Sequence, residues 1–170
     1  MTLKPANYKY RSTEGTSLTG GIGMGYVHAE IELTNEHDVG LNERGLLPDH
    51  EIRRVTTKAL VDSGAWDLVI NEETQNRLKL HVIGKQTVRL ADDTLLEVDV
   101  VGPVAIRFED RMIFITAIVL PTTPEVLLGA YPLEGLDAFI DPKRQKLVLN
   151  PKSPDNPTAY IRQVSSSLSI

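Results

Sequence analysis

Between Tyr26 and Leu33 the chain alternates: Val27, Ala29, Ile31 and Leu33 are apolar, while Tyr26, His28, Glu30 and Glu32 are not. A period of two predicts a strand with one face in a core and one in water. Before it, residues 1–24 hold neither a period of 2 nor one of 3.6, and are read as a flexible arm. From Thr34 to about His50 the pattern lapses again, which predicts a loop longer than the usual length of about two to six residues. Such a loop is either an insertion near a functional cleft or disordered, and the sequence leaves both open. Strand character returns at Arg54–Lys58 and runs through Ala59-Leu60-Val61 to Asp62, and Leu68-Val69-Ile70 predicts a further short strand. Asn71 is a good helix cap, followed by Glu72 and Glu73 and later by Arg77 and Lys79, signs that suit the helix dipole. One short helix ending near Leu80 is expected. Gln86–Leu90 and Leu96–Val100 read as a hairpin with Ala91-Asp92-Asp93-Thr94 at its tip. Val104–Phe108 and Met112–Leu120 read as two more strands around a Glu109-Asp110-Arg111 turn. The second is apolar on both faces, which implies a strand buried centrally or at a subunit contact.

Pro121 and Pro124 interrupt the sheet before Val126-Leu127-Leu128-Gly129, and Pro132–Leu136 predicts a second short helix. A closing hairpin follows, Ala138-Phe139-Ile140 against Lys146–Leu149, turned by Asp141–Gln145. The pattern is all-β: an arm at 1–24, one domain at 25–150 and a tail at 151–170, read as mobile. A chain of 170 residues can bury a core without staples. It contains no cysteine, which removes disulfides, thiolate zinc sites and cysteine nucleophiles together. A net charge of −5 argues against a nucleic-acid partner, because backbone phosphates reward concentrated Lys and Arg. No apolar run approaches the roughly 20 residues of a membrane span, and the first residues lack the apolar core of a secretory signal. The expectation is no membrane partner and a cytoplasmic location. His28, His37, His50 and His81 are too scattered for a zinc motif, so neither metal nor cofactor is expected. Gly20–Gly25 precedes a strand and opens no helix, so it reads as a linker and not as a nucleotide-binding loop.

The candidate chemistry lies where the strand Ala59-Leu60-Val61 ends in Asp62-Ser63-Gly64-Ala65. By itself Asp-Ser-Gly is an ordinary surface turn. Serine catalysis at Ser63 finds no nominated base and no strained nucleophile elbow. With Leu68-Val69-Ile70 after it and Val126-Leu127-Leu128-Gly129 far downstream, however, the stretch resembles the retropepsin-like, retroviral-type aspartic proteases, over roughly Gly25 to Asn150. That resemblance implies a folded, closed β-sheet barrel with a flap hairpin and one or two short helices, one catalytic half per chain. It implies Asp62 as the catalytic residue, Ser63, Gly64 and Ala65 as the active-site loop, and Leu128 and Gly129 as the flanking strand. Leu90, Ala91, Asp92, Asp93 and Thr94 become the flap over bound peptide, with Asp93 where related stand-alone proteins tend to have glycine.

Amide hydrolysis by activated water needs a base for the water and an acid for the carbonyl oxygen or leaving nitrogen. A lone carboxylate cannot be both, whereas two that share one proton can. The chain has one such loop and no internal repeat, so the second Asp62 is expected from a second copy across a two-fold axis. The sequence thus reads as a homodimeric aspartic endopeptidase acting on a peptide or protein substrate. The alternative is a catalytically inactive peptide-binding or assembly module of the same fold.

Overall fold

The computed structural model describes residues 25–158. Its elements in chain order are β1 (His28–Asn35), α1 (Glu36–Glu43), β2 (Arg54–Val61), β3 (Leu68–Ile70), α2 (Glu72–Leu78), β4 (Val82–Arg89) and β5 (Leu95–Phe108). Then come β6 (Arg111–Val119), β7 (Val126–Leu128), α3 (Ala130–Leu136), β8 (Ala138–Asp141) and β9 (Lys146–Leu149). Strands β1 to β7 form one sheet in the order β1-β2-β7-β3-β6-β5-β4, and β5 also pairs with β1. That second pairing closes β1, β2, β7, β3, β6 and β5 into a six-stranded barrel and leaves β4 outside the ring, bonded among the described residues only to β5. The fold is all-β, and β8 and β9 make a separate hairpin.

Alternation along each strand sorts its side chains into two cores. The inward positions of β1 join Val55, Ala59 and Val61 of β2, Leu68 and Ile70 of β3, and Val126 and Leu128 of β7 inside the barrel. The opposite face of the same strands carries a second cluster: Val69, Ile118, Leu120 and Leu127, with Leu60 packed against it. Val88 and Val98 of the β4–β5 hairpin belong to this second cluster, and Leu90 and Leu96 rest on it. The hairpin is therefore rooted on the outer face of the strands that lead to Asp62.

Three readings of the pattern are corrected. The segment from Thr34 to His50 is not an irregular loop: Asn35 caps α1 through its side chain, and a single turn of 3-10 helix follows at Asp49–Glu51. The only buried residue of α1 is Asp38, so the helix carries no apolar period. Leu96–Val100 and Val104–Phe108 are not separate strands but parts of the long β5, whose pairing with β6 shifts between Val101 and Val104 around a cis Gly102-Pro103 bond. The run from Met112 is apolar by composition but not buried throughout. Ala117, Ile118 and Val119 are buried, while Met112 and Phe114 are exposed on the chain's surface. Of the arm and tail, residues 1–24 and 159–170 lie outside the described residues. Residues 151–158 fold back, the buried Arg111 guanidinium donating to the carbonyls of Leu136 and Ser153.

Candidate active site

Asp62 stands where β2 ends, and its position is set by bonds on both sides of it. Its N–H donates to the carbonyl of Leu128 at 3.1 Å, extending the parallel pairing of β2 with β7 by one residue. Its own carbonyl accepts from Ala65 N–H at 3.1 Å, which closes the turn. Its Oδ1 accepts from Gly64 N–H at 2.9 Å. A side chain at 64 would place its Cβ 3.0 Å from that same oxygen, so glycine keeps the carboxylate approachable. Asp62 is half-buried, Ser63 and Gly64 are exposed, and Ala65 is buried. Anchored by one oxygen, the carboxylate keeps the other free of bonds among the described residues.

The downstream strand forms the other wall of the loop. Gly129 N–H donates to Asp67 O at 3.1 Å, Ala130 N–H to Ala65 O at 2.9 Å, and Tyr131 N–H to Trp66 O at 2.9 Å. A Cβ on Gly129 would lie 2.6 Å from the Trp66 carbonyl carbon and oxygen and closer still to Asp67 O. Only a bare α-carbon permits this approach of two backbones. The structure thus brings Asp62 to Ala65 together with Leu128 and Gly129.

The predicted flap is the β4–β5 hairpin. At its tip Leu90 N–H donates to Thr94 O at 2.8 Å, Asp93 N–H to Leu90 O at 3.0 Å, and Thr94 N–H to Asp92 Oδ1 at 3.0 Å. Asp93 takes the left-handed conformation, φ 66, and its carboxylate lies 3.4 Å from Arg89. Ala91 to Thr94 are exposed, whereas Leu90 packs on the outer cluster. Leu60 belongs to that face, and Asp62, two residues further along the strand, shares it by alternation. Flap and carboxylate consequently occupy the same side of the sheet.

Several neighbours had no assigned role in the sequence. Trp66 and Tyr131 stack with ring centroids 6.1 Å apart, and both stay largely exposed. Burial pushes the Asp67 carboxyl above the usual carboxylate range. His28 Nε2 and Glu125 Oε2 are 2.9 Å apart, although 97 positions separate them in the chain. Strand register, which the sequence alone does not give, is the only signal that could have paired them. His37 and His81 also approach, with ring centroids 6.4 Å apart. Among the described residues no group of three or more His, Asp or Glu side chains could hold a metal ion, and no helix is long and apolar enough to cross a membrane.

A family model described as aspartyl protease matches residues 49–131, a span that holds Asp62, the hairpin and Gly129. Among solved structures, the chain is similar to EIAV protease complexed with the inhibitor HBY-793: 18% identity, TM-score 0.48, covering 73% of this chain and 99% of that one. It is also similar to the retroviral protease-like domain of Ddi1 from Leishmania major: 16% identity, TM-score 0.47, covering 74% and 89%. No curated protein matches the sequence.

Proposed function

The chain has a retropepsin-like aspartic protease fold, and from that premise we propose that it is a homodimeric aspartic endopeptidase in which two Asp62 carboxylates activate a water between them. The observation that carries the proposal is the setting of Asp62: backbone fixed by Leu128 and Ala65, one oxygen held by Gly64 N–H, the other open. One carboxylate of the pair, ionised, takes the water's proton, and its protonated mate supplies one to the carbonyl oxygen or leaving nitrogen. Each chain contributes one such group, so the working unit is a pair around a two-fold axis. Substrate lies extended across Asp62 beneath Leu90 to Thr94, where main-chain pairing gives affinity and side-chain pockets give choice.

The test is cleavage of a diverse peptide library by the purified chain and by Asp62→Asn. Losing the proton-transfer group lowers the rate by about a thousandfold or more, with the fold retained by circular dichroism. Near-wild-type cleavage by a contaminant-free Asp62→Asn preparation would sink the mechanism. A wild-type chain that binds peptides without cutting them is a binding module instead.

A further inference from the structure

We propose that Glu125, held in place by His28, is a specificity-determining group that selects lysine or arginine in the substrate near the scissile bond. This rests on the endopeptidase reading of Asp62. The register of the sheet carries the inference. His28 pairs with Leu60, Leu60 with Leu127, Leu127 with Val69, and Val69 with Ile118. Directly paired residues share a face, so one row crosses the barrel from His28 to Ile118. It is the face that bears Asp62 and on which the flap is rooted. The flap's Val88 and Val98 cluster with Val69 and Ile118, leaving the His28 end of the row open.

Glu125 precedes β7 and sits two residues before Leu127, hence on the same face. Thr123 Oγ1 donates to its carbonyl at 2.7 Å, which fixes its backbone, and His28 engages Oε2 at 2.9 Å. Through this contact the carboxylate reaches the side chain of His28, whose backbone pairs with Leu60. Leu60 is two residues from Asp62, and His28 stands diagonally across from Asp62, a relation that separates Cα atoms by about 7–8 Å. A bound strand advances about 3.3 Å per residue, so the side chain that meets Glu125 belongs to one of the two residues on either side of the cleaved bond.

The chemistry of this corner is amphipathic. The half-buried Leu60 offers an apolar floor, and Glu125 Oε1, free of bonds among the described residues, offers an acceptor at its end. A Lys or Arg side chain matches both features, laying its methylenes on Leu60 and its charge on the carboxylate. Lys58 stands level with Glu125 on β2 and forms no ion pair with it among the described residues.

The experiment compares matched peptides carrying Lys, Arg, norleucine or Glu at each of those four positions. At one position on each side, the wild type prefers Lys or Arg over norleucine by about five- to tenfold in kcat/KM, the range of a partly desolvated ion pair. In Glu125→Gln this ratio collapses towards one, and in Glu125→Lys the Glu peptide overtakes the Lys peptide. Glu134→Gln, a surface carboxylate elsewhere, leaves the ratio unchanged and so controls for the chain's net negative charge. A wild type without the basic preference, or a Glu125→Gln profile that retains it, overturns the inference. Binding of the same peptides to Asp62→Asn, followed through Trp66, the chain's single tryptophan, separates the two readings. If no protein cleaves but Lys peptides still bind about five- to tenfold more tightly than norleucine peptides in a Glu125-dependent way, the endopeptidase reading fails and the basic subsite stands. If neither cleavage nor binding depends on Glu125, the subsite fails.

Discussion

Two carboxylates five positions apart illustrate how surroundings set what an aspartate does. Asp62 stands at the open end of its strand with an N–H donor on one oxygen, whereas Asp67 lies behind the loop, where burial favours its neutral form. The sign of the consequence follows from linkage. A carboxyl whose folded value is raised costs nothing when both states are protonated, and opposes folding increasingly as pH climbs from the unfolded value through the raised one. Asp67→Asn therefore raises the melting temperature at pH 7 and leaves it nearly unchanged at pH 3, read by thermal scans at both. Gly129→Ala acts the other way at any pH. Its Cβ has only backbone to meet, so we expect a loss of about 2–4 kcal/mol in urea unfolding and, in whatever folds, a displaced Asp62 loop with little cleavage. The loop and the Leu128-Gly129 strand were singled out by their resemblance to a family pattern, since Asp-Ser-Gly alone reads as a surface turn, and the structure places the two side by side. Glu125 and His28 were not singled out, because their meeting depends on which strands lie side by side.

At the scale of elements, the legible parts were those with an apolar period or a local cap, and α2 begins after Asn71 with the side chain accepting from Thr74 N–H at 2.9 Å. Helix α1 escaped because it is held by polar groups. Asn35 caps it and reaches across to donate to the carbonyl of Leu78 at 2.9 Å, joining α1 to the end of α2. The buried Asp38 carboxylate accepts from Arg53 Nε and Nη2 and from the Arg53 backbone N–H. The hydrogen bonds from the Arg53 guanidinium hold Asp38 below the usual carboxylate range. A depressed value gives stability that is present above the unfolded value, 3.8, and lost as pH falls through the lower folded value. Asp38→Asn should therefore lower the urea midpoint at pH 7 by an amount worth about 2 kcal/mol, and the difference from wild type should shrink below about pH 3.8. A constant difference across that range would show that the carboxylate's charge is not what anchors α1.

For the whole molecule, the all-β class followed from the pattern and the closed barrel from the family resemblance, while the order of strands did not, since pairings such as β1–β5 join strands far apart in sequence. On the proposed mechanism, one Asp62 loop per chain makes activity a property of the pair. An interface able to sustain it buries on the order of 1,600 Å² in total, so cleavage per mole should fall on dilution in step with the mass seen by sedimentation. A strictly monomeric species with full Asp62-dependent activity would contradict the shared pair. Closure has a further consequence for how the protein behaves in crowded or unfolding conditions. A ring of strands has no free hydrogen-bonding rim, so the outer side of β4, paired among the described residues only with β5, is the stretch of the main sheet most open to strand addition by another chain. Val82 and Ile83 lie exposed there, and Lys85, 2.9 Å from Glu97, is the charge that guards it. The risk of fibril-like association is thereby concentrated on the same hairpin that the proposed function sets over a bound peptide.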